Sequence, residues 1–237
     1  MSNSPAAKSL TKPSCVLLFS GGRDSTIAAI RLANSYQLTL VTVCSGHLSG
    51  IEQVEKRLSE LSRHLPADTE WLLIDQKTEI TESSGLQPYT CLPCQLAYVV
   101  TGIKVAKLLG SKTVALGYTA YQSTWPEQTD TAVTALRSTL AGIGIDLILP
   151  VQDLQAKEEV IQELNRIGLD SASLEQKCAR QKFHVELDAA ALQREVGLWV
   201  TGIEAWATKD LPIHALARRF VTTVQPEAQN ECGFRNS

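Results

Sequence analysis

Residues 15–26 have the sequence CVLLFSGGRDST, an apolar run followed at once by a short turn rich in glycine and serine. The apolar run, residues 15–19, predicts a buried strand, and the helix formers of residues 26–33 predict a helix. The glycines and serines therefore lie where a strand turns into a helix. At such a turn, backbone N–H groups without an intrahelical partner point outward, and the helix dipole adds positive potential. The sequence therefore predicts an anion-binding site, and phosphate is the usual occupant of such a site.

Strand-like and helix-like segments alternate from residue 15 to about residue 168. Further apolar strands are predicted at residues 38–43, 70–74, 113–116 and 146–149. Between them, apolar residues recur at spacings of three and four, which is typical of amphipathic helices. This alternation predicts an α/β fold with a single doubly wound, five-stranded parallel sheet. The residues from about 170 onward predict a C-terminal helical extension that closes one side of the site.

The strand ends predict where a ligand binds, because ligands of such sheets lie beyond the carboxyl ends of the strands. By this rule residues 20–25, residues 45–47, Asp75 and residues 117–121 face one crevice.

The loop that begins at Gly117 follows the fourth strand and is unusually aromatic. Tyr121 and Trp125 are expected to stack on a planar ring. Hydrogen bonds to the edge of that ring are expected from Gln122, Ser123 and Glu127. The alternative is an ordinary proline-containing loop whose tryptophan is buried against the extension.

The composition of the 237 residues favours one globular domain, with 44% hydrophobic residues and a net charge of −3. The acidic balance disfavours a nucleic-acid partner, and no apolar run is long enough to span a bilayer. The polar start lacks the apolar core of a signal peptide, so we expect a cytoplasmic protein. The expected organisation is a flexible tail at residues 1–13, an α/β domain at 14–170, the helical extension at 171–224 and a second tail at 225–237. The extension carries Trp199 and Trp206, which indicate either a homodimer interface or core packing.

The cysteines form a second candidate site, because Cys91 and Cys94 make a C-x-x-C pair at a helix start. Both sulfurs of such a pair project to one side. Cys178 is the third candidate ligand, and His184 or a substrate atom is the fourth. The alternatives are a zinc site, a [4Fe–4S] cluster with one open iron, a redox or persulfide-carrying pair, and unligated thiols.

The first loop resembles the SGGxDS loop of the PP-loop ATP pyrophosphatases, which split ATP between its α and β phosphates. Neither the G-x-x-x-x-G-K-[ST] loop of the common NTPases nor the Rossmann G-x-G-x-x-G is present. The resemblance implies that the backbone at Gly21 and Gly22 closes on the pyrophosphate and that Asp24 caps the helix and helps to hold Mg²⁺. The implied ATP-binding set is Ser20, Gly21, Gly22, Arg23, Asp24, Ser25, Thr26 and Gly117.

Over residues 15–180 the chain looks like the 7-cyano-7-deazaguanine synthase branch of this superfamily, which belongs to queuosine biosynthesis. The resemblance rests on the first loop, the loop after Gly117 and the acid-flanked Lys157, which is expected to contact phosphate as a catalytic residue with Asp24. It implies an adenine nucleotide alpha hydrolase-like fold and an ATP-dependent carbon–nitrogen ligase. Such an enzyme adenylates a carboxylate or amide, here a small molecule such as a deazapurine, releases pyrophosphate and converts the adenylate with ammonia to amide and nitrile. That family's zinc site has four cysteines near the C-terminus, of which this chain keeps Cys178.

Two further functions stay open. The C-x-x-C pair and a distant cysteine resemble the PP-loop tRNA thiolases, in which an adenylated oxygen is replaced by sulfur. In that case Cys91, Cys94 and Cys178 hold an iron–sulfur cluster. The third alternative is a nucleotide-binding regulatory module without turnover, against which the intact Asp24 and Ser25 argue.

Overall fold

The computed structural model describes residues 12–76, 78–82, 84–180 and 185–225. The described strands are β1 (Ser14–Leu18), β2 (Gln37–Cys44), β3 (Leu48–Ser49), β4 (Glu70–Asp75), β5 (Thr113–Ala115), β6 (Asp146–Ile148), β7 (Lys177–Cys178) and β8 (Ala215–Phe220). The α-helices are α1 (Arg23–Ala33), α2 (Ile51–Leu61), α3 (Thr78–Glu82), α4 (Leu92–Leu108), α5 (Asp130–Gly142), α6 (Lys157–Arg166) and α7 (Ala189–Thr208). Short 3₁₀ turns lie at Ala120–Gln122, Pro126–Gln128 and Val221–Thr223. In the described residues, no helix is long and apolar enough to cross a membrane.

The central sheet has six strands in the order β6-β5-β1-β2-β4-β8. The five strands predicted from the sequence are parallel to one another, so the predicted doubly wound α/β fold is confirmed. The sixth strand, β8, pairs antiparallel with β4 at the edge of the sheet.

The predicted extension was wrong in one respect, because it is not only helical. It contributes β8 to the central sheet and the short strand β7, which pairs antiparallel with β3. The sequence of β8, ALARRF, contains two arginines and is mostly half-buried or exposed. An edge strand needs no continuous apolar run, and charged residues protect its open edge, so it lacks the sequence signal of a buried strand.

The core has two layers, one on each face of the sheet. Helices α1, α2 and α6 pack on one face, and α4, α5 and α7 pack on the other. Alternate residues of β1 divide between the two layers: Val16 packs beside α4, whereas Leu17 packs beside α1. Each layer contains a fully buried tryptophan, Trp71 in the first and Trp199 in the second. Trp199 lies on α7, so this part of the extension is core packing.

The order in which strands are added to the sheet changes side at β1: β2 and β4 lie on one side of it, and β5 and β6 on the other. The chain leaves β1 through α1 and enters β2 on one side, and it returns through α4 to β5 on the other side. Loops that leave neighbouring strands in opposite directions open a crevice between them, and ligands of doubly wound sheets bind there. This crevice lies between the loop after β1 and the loop after β5, which begin at Phe19 and Leu116.

Candidate active site

The backbone of the loop after β1 requires glycine at position 21. Gly21 has a positive φ of +79°, and a Cβ there would lie 2.5 Å from the carbonyl oxygen of Leu174. Gly22 has an extended backbone and stands at the N-cap of α1, and its N–H donates to Ser20 Oγ at 3.1 Å. A side chain at Gly21 would disturb the turn, because L residues rarely adopt positive φ and the backbone of Leu174 fills the space.

Three hydroxyls surround the start of α1. Ser20 Oγ lies 3.2 Å from Ser25 Oγ, and both Ser25 and Thr26 donate to the carbonyl of Gly22, at 3.1 Å and 2.7 Å. The N-cap makes no side-chain hydrogen bond, so the expectation that Asp24 caps the helix is wrong. Asp24 lies in the first turn, where its side chain points toward the loop after β5 instead.

Asp24 is held by the loop after β5. The hydroxyl of Tyr121 donates to its carboxylate, with oxygen–oxygen distances of 2.8 Å and 2.9 Å. Burial raises the pKa of Asp24 to about 6, the tyrosine hydrogen bond lowers it, and the charge of Glu175 raises it further. The charges of Arg23 and Lys157 act in the opposite direction. This carboxyl therefore titrates close to neutral pH, as groups at functional sites often do.

Residues 171–176 form a strap across the glycine turn. Arg23 Nε donates to the carbonyl of Ser171 at 2.6 Å, and the fully buried Arg57 donates from Nη2 to the carbonyl of Ala172 at 2.6 Å. A Cβ on Gly22 would lie 2.8 Å from Glu175 Oε2. The strap therefore places a carboxylate directly over the start of α1.

A cavity of about 300 Å³ opens above the loop after β1 and extends to the loop after β5. Ser20, Gly22, Asp24 and Ser25 line it from the first loop. Gly117 lines it from the second, where a Cβ would lie 2.9 Å from the backbone nitrogen of Ser25. We name it the nucleotide cavity after the ligand that the sequence predicts for this helix start at the reversal point of the sheet.

A second cavity of about 640 Å³ adjoins the nucleotide cavity. We name it the cysteine cavity, because Cys91, Cys94 and Cys178 all line it. Cys178 reaches it through the β3–β7 pair, in which it lies opposite Leu48. Five residues line both cavities and form their shared wall: Leu48, Cys91, Gln95, Tyr98 and Cys178.

Cys94 and His47 line the cysteine cavity, and Ser45 lies beside the imidazole, with its Oγ 3.4 Å from His47 Nε2 as well as near Nδ1. Cys94 Sγ lies 3.3 Å from His47 Nε2, and Ser45 Oγ lies 3.0 Å from His47 Nδ1. Burial raises the pKa of Cys94 to about 11, and burial followed by the charge of Arg180 lowers the pKa of His47. The Cys94 thiol and the His47 imidazole are therefore within hydrogen-bonding distance, as a nucleophile and its base are in many enzymes.

The three cysteines share a cavity but do not form a metal centre as they stand. Among the described residues, no group of three His, Cys, Asp or Glu side chains is close enough to hold a metal ion. His184, the candidate fourth ligand, lies outside the described residues. The zinc and [4Fe–4S] sites therefore stay predictions, and the chemistry proposed for this site does not depend on them.

The aromatic loop does not line the larger cavity. Tyr121 contacts Asp24, and Gln122 lines the nucleotide cavity and accepts a hydrogen bond from Gln128 at 2.8 Å. Ser123 is exposed, Trp125 is half-buried, and neither is among the residues that line the two cavities.

Glu127 lies deepest in this loop, with 3% of its surface exposed. Its Oε2 atom has no hydrogen-bond partner among the described residues, and burial raises its pKa to about 7. Lys157 begins α6 and is exposed; its charge is among the lesser influences that lower the pKa of Asp24.

Asp75 does not face this crevice, which corrects the expectation for that strand end. Its carboxylate lies 3.7 Å from His214 Nδ1, just before β8.

Three residues of the site were missed by the sequence analysis: Tyr98, Glu175 and Arg180. Tyr98 occurs within the apolar stripe of α4, where an aromatic residue indicates core packing. Glu175 and Arg180 occur in a stretch without periodicity, and only the tertiary structure brings them to the cavities.

Comparison with protein families and solved structures is consistent with this geometry. A model for a family of unknown function (DUF7411) matches residues 14–83, from β1 into the segment after α3. No curated protein matches the chain significantly.

Three solved structures align with most of this chain. A 4-thiouridine synthetase in complex with RNA and ATP is 17% identical, with a TM-score of 0.58, and the match covers 86% of this chain and 55% of that chain. The chain thus spans about half the length of that protein. The NMN synthetase from Francisella tularensis is 12% identical, with a TM-score of 0.52, covering 85% of this chain and 89% of that chain. The U34-tRNA thiolase NcsA from Methanococcus maripaludis, solved with its [4Fe–4S] cluster, is 15% identical over 85% of this chain and 73% of its own, with a TM-score of only 0.48.

The likeness to the first two structures concerns the fold alone. The chain shares with them a doubly wound α/β fold, and its membership of the PP-loop superfamily stays a prediction from the first loop. The finer resemblance, to the deazaguanine synthase branch, stays a prediction.

Proposed function

We propose that the protein is an ATP-dependent enzyme that adenylates a small acceptor, releases pyrophosphate and then transfers sulfur to the activated acceptor. The single observation that carries this proposal is the shared wall between the nucleotide cavity and the cysteine cavity. An acceptor in one cavity and ATP in the other would meet where Cys91 and Cys178 line both.

The first step uses the loop after β1. An acceptor oxygen attacks the α-phosphorus of ATP, the bond to the β-phosphate oxygen breaks, and pyrophosphate leaves with its electron pair. The helix start at Gly22 and the hydroxyls of Ser20 and Ser25 stabilise the negative charge of the leaving group. Mg²⁺ enters with ATP as part of the substrate. Asp24 is the acidic residue on α1 that lines the nucleotide cavity and contacts this MgATP complex.

The second step uses Cys94. Its sulfur attacks the adenylated carbon, AMP leaves, and the thiol proton passes to His47 Nε2, which lies 3.3 Å away. Hydrosulfide then displaces the cysteine from the resulting thioester, so that the product is a thiocarboxylate and the thiol is restored. Neither a change of oxidation state nor a metal ion is required. Because burial raises the pKa of Cys94 to about 11, the reaction needs such a base.

Two similar structures support the first step more directly than the second. The 4-thiouridine synthetase was solved with bound ATP, and its name describes a sulfur-containing product. The NMN synthetase shares the fold, and its name describes the synthesis of a nucleotide. Because this chain spans 55% of the first protein, the activity of that whole protein is not transferred to it.

The carbon–nitrogen ligase predicted from the deazaguanine synthase resemblance differs only in the nucleophile, which would be ammonia. The position of Cys94 in the larger cavity favours sulfur, because transfer to ammonia requires no thiol there. The alternative of a regulatory module without turnover is disfavoured by the Cys94–His47 pair, which ATP binding alone would not need.

The test is pyrophosphate release from ATP with a panel of small carboxylic acids, with hydrosulfide or ammonia as the second substrate. We expect release of pyrophosphate rather than phosphate, and a thiocarboxylate product with hydrosulfide. Cys94→Ser should retain adenylation but lose at least about 100-fold in product formation. Cys15→Val, at a thiol buried in the core, is the matched control and should keep both steps. Release of ADP, or an amide as the only product, would exclude the proposed reaction.

A further inference from the structure

The cysteine cavity has the dimensions of a site for a small molecule. Its volume of about 640 Å³ lies within the range of roughly 300–1,000 Å³ that is common for such sites. One part of the lining comes from residues 81, 82 and 84–88, a second from the start of α4, and a third from Cys178 and Arg180. The lining alternates between apolar and polar groups. Leu86, Pro88 and Pro93 are on the apolar side, and Thr81, Gln87, Thr90 and Gln95 supply hydrogen-bonding groups.

The cavity has one positively charged side chain, Arg180, and one carboxylate, Glu82, among its described lining residues. Arg180 is the one guanidinium or ammonium group among the described residues that line it. Arg180 makes no ion pair within the described ranges. Burial is the main influence on the pKa of Cys94 and of His47, and the charge of Arg180 acts to lower both, so it lies within electrostatic reach of the thiol. A cation that lines a cavity without a partner carboxylate is suited to an anionic ligand, because guanidinium binds carboxylate through two parallel hydrogen bonds.

We propose that the cysteine cavity binds the acceptor, that the acceptor is a small organic carboxylate, and that Arg180 holds this carboxylate beside the shared wall. The identity of this ligand as the acceptor rests on the proposed function, whereas the anion site itself does not. Cys178 lines both cavities and is two residues before Arg180, so a carboxylate bound at Arg180 lies on the side of the cavity that adjoins the nucleotide cavity.

The same lining disfavours a nucleic acid. Proteins that bind RNA or DNA neutralise several phosphates with lysine and arginine side chains. The described lining supplies one such side chain, and the exposed Glu82 adds a negative charge to the same lining. The net charge of the whole chain is −3. The ligand is therefore a free small molecule with one carboxylate rather than a segment of RNA.

The experiment uses two alkylating probes that differ in charge, iodoacetate and iodoacetamide. The full-length protein is treated with each at pH 8 without ATP, and the modification rates of Cys91 and Cys178 are measured by mass spectrometry. We expect the iodoacetate-to-iodoacetamide rate ratio to fall about fivefold in Arg180→Gln, because the local positive potential is lost. Lys177→Gln removes a neighbouring exposed charge that does not line the cavity and should leave the ratio unchanged. An equal ratio in Arg180→Gln and the unmodified protein would overturn the anion site.

A competition experiment identifies the class of ligand. Benzoate at millimolar concentration should slow iodoacetate modification of the unmodified protein and have little effect on Arg180→Gln, whereas mixed tRNA should not compete. Protection by tRNA but not by benzoate would overturn the small-molecule assignment. Because alkylation needs no turnover, these results are independent of the proposed function. An iodoacetate-to-iodoacetamide ratio that does not depend on Arg180 would refute the anion site even if pyrophosphate is released. Absence of pyrophosphate release would refute the reaction while the anion site stands.

Discussion

Tyr121 shares its hydroxyl proton between the two carboxylate oxygens of Asp24, at 2.8 Å and 2.9 Å. The two residues come from the loops on either side of the reversal point in the sheet, so this contact connects the start of α1 to the chain after β5. Burial is the largest influence on the pKa of Asp24 and raises it, whereas the hydrogen bond from Tyr121 lowers it.

Replacing Tyr121 with phenylalanine should raise the pKa of Asp24 further above its ordinary value. The buried carboxylate loses the hydrogen bond that the tyrosine hydroxyl donates, whereas the protonated form loses little. The measurement is a ¹³C NMR titration of the Asp24 carboxyl, starting from about 6 in the unmodified protein. Tyr36→Phe, after the end of α1, is the matched control and should not change the titration. A lower pKa in Tyr121→Phe would contradict the assigned role of the hydroxyl.

Glu127 should make stability depend on pH. Burial disfavours its charged form and raises its pKa from an ordinary value of 4.5 to about 7 in the folded protein. Since the folded protein holds this proton more tightly, the free energy of unfolding falls as the pH rises from 4.5 to 7. Glu127→Gln should therefore be more stable than the unmodified protein above pH 7, by on the order of 3 kcal/mol, and equally stable below pH 4.5.

Urea unfolding at several pH values tests the role of Glu127. Glu158→Gln, at an exposed position in α6, should show no such dependence. If Glu127→Gln and the unmodified protein differ by the same amount at pH 4 and pH 8, the carboxyl does not titrate as described.

Gly21→Ala should destabilise the protein more than the same substitution at another glycine with positive φ. Gly110 has a φ of +67° and nothing within 4 Å of an added Cβ, so Gly110→Ala measures the backbone strain alone, about 1–2 kcal/mol. At Gly21 the Cβ also meets the carbonyl oxygen of Leu174 at 2.5 Å. We expect a loss of about 3 kcal/mol or more in urea unfolding. If Gly21→Ala and Gly110→Ala lowered the free energy of unfolding equally, the strap would move aside from the added Cβ at no energetic cost.

Arg57→Ala should release the strap. The side chain is fully buried, and it donates to the carbonyl of Ala172 and to Glu60. Its removal leaves both acceptors unpaired and opens a space in the core, which costs about 3 kcal/mol. Hydrogen exchange should become faster in residues 171–176 than in the strands. Arg63→Ala, at an exposed position just after the end of α2, should leave the exchange of the strap unchanged. If exchange became faster by the same factor in the strands and in residues 171–176, the substitution would destabilise the whole fold instead of releasing the strap.

The parallel core could be predicted because buried strands and amphipathic helices have strong periodic signals. The predicted strand at residues 38–43 lies within β2, and that at 70–74 lies within β4. The glycine turn was also identifiable, since its residue types suit few other structures. In contrast, β8 has no apolar periodicity, and only the structure shows that it pairs with the edge of β4.

The cavities required the tertiary structure. Cys91 and Cys94 are close in sequence, but Cys178 joins them only because β7 pairs with β3. The predicted ring-binding role of Ser123 and Trp125 followed from their residue types, whereas the loop directs neither side chain into the described cavities. Sequence patterns indicate which faces are buried, and they carry little information about contacts between irregular segments far apart in the chain.

Because Leu48 pairs with Cys178, this part of the fold can form only after residue 178 has been synthesised. During synthesis, residues 14–148, which contain β1 to β6, leave the ribosome before the strap and β7 exist. The wall of the cysteine cavity therefore closes late, through a contact between residues far apart in sequence, and contacts of this kind form slowly. A nascent chain that stops before residue 177 contains the glycine turn but lacks the strand that carries the third thiol.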